Sequence, residues 1–184
     1  MADNEAGKTG TPGNGGSPEA GADAADTGGD ANTGRPQMSI TAQYLKDLSF
    51  ENPAAPGSLA AGLAAPKIEV NVDVQAKPMG EDRFEVVLRI TATASRDSAG
   101  VFVAEVLYAG LFGFQNMGQD ALHAACLIEC PRILFPYARR IVSDVTRDAG
   151  FPPLFLDPID FADLYRQHVE RAQAEKQAAA APKN

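Results

Sequence analysis

Between residues 67 and 76 the chain reads KIEVNVDVQA, and apolar and polar positions alternate without a fault. Ile68, Val70, Val72 and Val74 share one face of an extended chain, with Lys67, Glu69, Asn71, Asp73 and Gln75 on the other, which predicts a half-buried strand. The segment RFEVVLRITATAS from residue 83 repeats the pattern with Phe84, Val86, Leu88, Ile90 and Ala92, and the connection carries Pro78 and Gly80, so the two strands predict an antiparallel hairpin. A weaker alternation over 40–51 places Ile40, Ala42, Tyr44, Leu48 and Phe50 inward and Gln43, Leu45, Asp47 and Glu51 outward. The fourth strand, GVFVAEVLYAGLFGF, is apolar on both faces: Val101, Val103 and Leu107 on one, Phe102, Ala104, Val106 and Tyr108 on the other. It needs two covers, and in so small a sheet a second subunit is the expected one.

From Asn116 the period changes from two to between three and four. Leu122, Cys126, Cys130, Ile133, Tyr137, Ile141 and Val145 form a stripe, with Asn116 and Gln119 as a capping pair and Gly150 ahead of Pro152 and Pro153 as the stop. Pro131 and Pro136 interrupt this helix, in CPRILFPYARR, and an interior proline costs about 3 kcal/mol. The pattern predicts a bend or break around Pro131 to Pro136 with one face still buried. An extended apolar segment, FPPLFLDPID, then leads to a shorter helix capped by Asp160 and presenting Phe161, Leu164, Tyr165 and Val169. The fold class is α+β: a four-stranded antiparallel sheet, a long kinked helix and a shorter C-terminal helix.

Composition separates the ends from this body. Residues 1–37 are rich in Gly, Ala, Asp and Asn, and their six acidic and two basic side chains carry half of the formal net charge of -8. Such a segment cannot offset its ordering entropy, so a disordered tail is expected over 1–37, a folded domain over 38–177 and a frayed end over 178–184. The acidic balance argues against nucleic acid or an anionic membrane surface as partner. With no apolar run of about 18 residues and no signal-like N-terminus, no membrane insertion is expected and the cytoplasm is the expected compartment.

The search for chemistry returns little. Cys126 and Cys130 have neither redox nor zinc spacing and read as a buried structural pair. His123 and His168 sit singly on helical segments and read as packing residues. No nucleotide, hydrolase or metalloprotease motif is present, and no cofactor is expected. The glycine-bearing run AGLFGFQNMGQD lacks Lys, Ser and Thr, and its Phe112 and Phe114 suit apolar groups rather than phosphate. Asp47, Glu51 and Glu105, read from composition alone, are a solvated sheet face.

Taken together, YLKDLSFENPAAP, the hairpin, CPRILFPYAR and GFPPLFLDPIDFADLY occur in an order and spacing that closely resembles the SecB family of bacterial export chaperones, over residues 38–177. The resemblance implies a dimer of dimers, with helices between two eight-stranded sheets and oligomer contacts at Ala104, Val106 and Tyr108. It also implies ATP-independent binding of unfolded preproteins and their delivery to the SecA motor. A SecA-binding patch would comprise Asp47, Glu51, Val103 and Glu105, met by a basic end of SecA in a salt-sensitive contact. A substrate groove would draw on Val70, Val72, Phe112, Phe114, Phe151, Leu154, Phe155, Leu156 and Phe161. Two rivals stand beside it: a SecB-like chaperone dedicated to one client such as an antitoxin, and an oligomeric binder or enzyme using an apolar pocket.

Overall fold

The computed structural model describes residues 34–180, so the expectations for 1–33 and 181–184 lie outside the described residues. One four-stranded antiparallel sheet holds β1 (Gln37–Glu51), β2 (Lys67–Pro78), β3 (Arg83–Arg96) and β4 (Ala99–Gln115) in the order β1-β4-β3-β2. One helical run comes next, as α1 (Gln119–Ala124), a π turn (Ala125–Glu129) and α2 (Cys130–Asp148), and then α3 (Phe161–Ala180), which extends past the boundary expected at 177.

The hairpin of β2 and β3 forms in the register the alternation predicts, with Val72 opposite Ile90 and Val74 opposite Leu88. β3 returns into β4 through Asp97 and Ser98 alone, with φ of 50° and 67°, between the paired Arg96 and Ala99. Positive φ at both positions is what a two-residue hairpin turn requires to match strand twist.

β1 departs from the reading of its sequence. Its pairing with β4 shifts between Ile40 and Ala42 and again between Leu45 and Asp47, leaving Thr41 and Lys46 as the extra residues. Each extra residue inverts the faces of the residues C-terminal to it. Leu45 therefore pairs with Tyr108 and Gln43 with Gly110 on the helix side, whereas Ala42 and Tyr44 pair with Leu111 and Ala109 on the outer side. The expected inward Ala42 and Tyr44 and outward Gln43 and Leu45 are thus exchanged. The strand ends, Ile40 and Leu48 to Glu51, keep their expected faces.

The helix also begins and bends elsewhere than its sequence suggests. Gly118 occupies the N-cap without a side-chain bond, while Asn116 is left-handed (φ 56°) and donates its side-chain amide to the Arg35 carbonyl, 3.2 Å away. Asn116 ties the two ends of the β1/β4 pair together; it does not cap the helix. The irregularity lies before Pro131, in the π turn, where Cys130 N–H bonds to the Ala125 carbonyl. The wider turn thus falls directly before Pro131, which has no N–H to offer the carbonyl of Leu127 four residues back. Pro136 stays inside α2 on its exposed side, where the carbonyl of Arg132, also exposed, can be solvated. The buried stripe is accordingly Cys130, Leu134, Ala138, Val142 and Thr146; of the expected positions Ile133, Ile141 and Val145 are half-buried and Tyr137 is exposed.

α2 packs over β3 and β4, closing a core of Val86, Leu88, Ile90, Val106, Phe112 and Leu134. Gly110 leaves it room, since a Cβ there would stand 3.1 Å from Leu134 Cδ2 and 2.6 Å from Phe112 Cε2. At its end the N–H of Gly150 bonds Arg147 O and that of Phe151 bonds Thr146 O, with Gly150 at φ 89°, a Schellman stop at the expected glycine. Phe151 then packs against Phe102 and Phe50, at ring centroid distances of 4.9 and 6.2 Å, pinning the outgoing loop to the end of the sheet.

Candidate functional site

The loop from Phe151 to Asp160 is apolar, yet it runs over the surface. Two polar side chains hold it there. Thr146, fully buried in α2, accepts a hydrogen bond from Leu154 N–H (3.0 Å) while its hydroxyl is 2.9 Å from Val142 O and 3.0 Å from Ser143 O. Asp160 Oδ1 accepts the N–H groups of Ala162 (2.9 Å) and Asp163 (3.1 Å), the N-cap expected for α3. Between these anchors the loop faces edge strand β2 across a trough of about 590 Å³. Its apolar lining includes Ile68, Val70, Val72, Leu154, Phe155 and Leu156, and Asp157, Asp160 and Asp163 stand along its rim. Val70 is 44% exposed and Phe155 70% exposed, so this is apolar surface that the chain itself leaves in water.

The trough thus unites five of the nine expected groove positions: Val70, Val72, Leu154, Phe155 and Leu156. The other four are used by the fold. Phe112, Phe114 and Phe161 have at most 2% of their surface exposed, and Phe161 packs edge-on against Phe135. Phe151 belongs to the aromatic clamp on Phe50 and Phe102. None of the four lines the trough. Thr146 is not recognisable in the sequence, because a threonine in an apolar helical stripe carries no local signal of the loop it will hold.

A second surface lies on the outer face of the sheet. Register sets Glu51 opposite Val103, Ser49 opposite Glu105 and Asp47 opposite Leu107, so Asp47, Glu51, Val103 and Glu105 gather on one face. Asp47 and Glu51 are exposed. Glu105 is partly neutralised, with Arg89 Nη1 at 3.7 Å and the Thr91 hydroxyl at 3.3 Å. Beside them Glu85 is buried on the same face and bonded to Lys46 and Tyr44, whose hydrogen bonds hold its carboxyl below the ordinary carboxylate range. The same carboxylate pushes the Tyr44 hydroxyl up to about 12.

The expected oligomer residues differ in exposure from their neighbours. Ala104 and Val106, at 1% and 0% exposure, are covered by the chain's own helical layer and keep no surface for another subunit. Tyr108 is half-buried and stacks on Tyr137 at 5.7 Å. The uncovered apolar surface lies beside them: Ile40, Leu45, Leu48 and Tyr137 are between 41% and 50% exposed. Within it Tyr108 joins Leu45, its partner across the strands, to Tyr137, on which it stacks.

Cys126 and Cys130 are free, buried thiols, and the hydrogen bond that Cys130 donates to Cys126, together with burial, pushes the Cys130 thiol up. Cys130 Sγ lies 3.9 Å from Met38 Sδ, so the pair packs β1 against the helix. His123 is exposed and contacts the Tyr165 hydroxyl at 3.1 Å; His168 lines a hollow of about 270 Å³ between β2 and α3. Among the described residues no cluster of three His, Cys, Asp or Glu side chains could hold a metal, and no helix is long and apolar enough to cross a membrane.

The family model described as preprotein translocase subunit SecB matches residues 31–172. The protein-export protein SecB of Maricaulis maris (strain MCS10) is 57% identical over 147 residues, spanning 80% of this chain and 83% of the relative. That of Bartonella quintana (strain Toulouse) is 44% identical over 146 residues, spanning 79% and 92%. Among solved structures, a SecB-like chaperone of Mycobacterium tuberculosis in complex with an antitoxin peptide is similar with a TM-score of 0.51 at 23% identity, over 66% of this chain and 87% of that one, and shows the same fold.

Proposed function

The chain belongs to the SecB family, and on that premise we propose that it is an ATP-independent export chaperone, which holds unfolded preproteins in its apolar trough and hands them to SecA in the cytoplasm. The observation that carries client binding is the trough itself, where a loop tethered through Thr146 and Asp160 keeps Phe155 and Val70 in water. Apolar surface held open in this way is a binding site for apolar segments, and a folded protein has already buried its own.

Energetics favour long clients. Burial contributes about 25 cal/mol per Å² of apolar surface, while ordering each backbone residue costs about 1 to 2 kcal/mol, so a short peptide gains little. A chain that reaches several troughs on one assembly gains through effective concentration. Four copies joined through the apolar surface of Ile40, Leu45, Leu48 and Tyr137 would provide them, in the dimer of dimers that the family resemblance implies. The outer face with Asp47, Glu51, Val103 and Glu105 is then left for SecA, away from the trough.

The test is light scattering without nucleotide, for the protein alone and with a slow-folding preprotein. A four-chain particle that takes up the unfolded preprotein and ignores its folded form is expected; a particle that binds neither would overturn the proposal.

A further inference from the structure

Glu85 belongs to neither the trough nor the four residues of the acidic patch. It lies on the outer face of β3, where a carboxylate is ordinarily solvated, yet only 8% of the residue is exposed. Its Oε1 accepts from the Tyr44 hydroxyl at 2.5 Å and from Lys46 Nζ at 2.8 Å, and its Oε2 lies 2.8 Å from the same Nζ. Both donors come from the irregular stretch of β1.

On a regular strand Tyr44 and Lys46 would share a face with Ile40, Leu48 and Phe50, pointing a phenol and an ammonium toward the helices. The extra residues Thr41 and Lys46 prevent this, and Glu85 receives both side chains on the outer face. Immediately after Lys46 the regular register resumes, bringing Asp47 opposite Leu107 and Glu51 opposite Val103. A slip of one residue would send Asp47 and Glu51 to the helix side and Leu48 and Phe50 to the outer side. The neighbouring apolar alternation resists such a slip, but the bulge itself is fixed by polar bonds, and Glu85 makes three of them.

We propose that Glu85 is a positioning residue for SecA docking: by bonding Tyr44 and Lys46 it fixes the second bulge of β1, and through it the place of Asp47 beside Glu51, Val103 and Glu105. This rests on the reading of the outer face as the SecA surface. Glu85 acts through Asp47 and does not touch the motor. The same bulge keeps Leu48 and Phe50 on the helix side, so one carboxylate sets both the acidic outer face and part of the apolar inner face.

The experiment compares wild type, Glu85→Gln, Tyr44→Phe, Asp47→Asn and the double variant Asp47→Asn with Glu85→Gln, as full chains. SecA affinity, uptake of an unfolded preprotein and melting temperature are measured for each. Glu85→Gln should weaken SecA about tenfold, the scale of losing one aligned charge contact, with preprotein uptake unchanged. The double variant should bind SecA no more weakly than Asp47→Asn alone. Tyr44→Phe, which removes a single donor, should give a smaller loss of the same kind, and it carries the test if Glu85→Gln fails to fold.

Normal SecA binding by Tyr44→Phe and any folded Glu85→Gln, beside a weakened Asp47→Asn, would overturn the inference while leaving the docking face intact. Equal losses of SecA binding and preprotein uptake with a lowered melting temperature would also overturn it, since Glu85 would then only support the fold. Asp47→Asn binding SecA like wild type would instead sink the docking reading itself.

Discussion

The two edge strands of the sheet are built to opposite designs. β2 is regular: every residue pairs in step with β3, from Lys67 opposite Ser95 to Pro78 opposite Phe84. β1, on the other edge, is interrupted twice and held by a buried Glu85. A regular edge beside a tethered loop makes a trough with a steady apolar row, Ile68, Val70 and Val72. On the bulged edge regular alternation resumes after Lys46, with Asp47 outward and Leu48 inward. One sheet thereby offers different chemistry at its two edges, and the difference predicts that their functions are separable.

The largest expected effect comes from the inner side of β1. Replacing Leu45 and Leu48 by Glu puts two charges into the apolar surface around Tyr137 and should reduce the proposed four-chain particle to smaller species, read by light scattering, because charges desolvated at an interface without partners cost several kcal/mol. Changes at the other edge should spare assembly. Val70→Asp combined with Phe155→Ser should lower preprotein affinity about tenfold or more, measured by titration with an unfolded client, while the particle mass stays the same; tenfold corresponds to about 1.4 kcal/mol, less than two buried apolar side chains contribute.

A pH effect of intermediate size distinguishes the edges further. The Glu85 carboxyl is depressed by its bonds to Lys46 and Tyr44, with Lys77 adding attraction. Since its folded value lies below its unfolded value, the stabilisation is full above the ordinary Glu range near about 4.3 and is lost as pH falls through the folded value. Urea midpoints of wild type should fall more steeply below that range than those of Glu85→Gln, with the two curves converging at the acid end. Parallel curves would show that the carboxylate is not what holds β1.

The smallest effect lies away from both edges. Ser98 has φ 67° in the tight β3/β4 turn, a conformation that costs a side-chain-bearing residue roughly 1 kcal/mol and glycine almost nothing. Ser98→Gly should raise the unfolding free energy by about that amount without changing client or SecA binding.

The same contrast explains what the sequence made legible. The alternation of β2 and β3 can be read residue by residue because nothing interrupts their pairing. The ends of β1 are legible and its middle is not, since Thr41 and Lys46 look like ordinary strand residues, and Glu85, the partner of Lys46, is 39 residues further along the chain. The helix behaves likewise. Its stop at Gly150 is a local signal that the sequence carries openly, whereas the π turn before Pro131 rotates the face of α2 and displaces the buried stripe to Leu134, Ala138, Val142 and Thr146. In the trough, sequence can show that the loop is apolar. It cannot separate Phe155, which remains in water, from Phe112, Phe114 and Phe161, because that choice is made by packing across the sheet and between helices.

The central claim is that client and motor use different surfaces of this chain. It is tested most directly by saturating the assembly with an unfolded preprotein, without nucleotide, and then titrating SecA while particle mass is monitored by light scattering. The account predicts that SecA adds to the loaded particle with an affinity close to that for the empty one, giving a three-component complex. Displacement of the preprotein in proportion to SecA bound would show that the two share one site, and would contradict it.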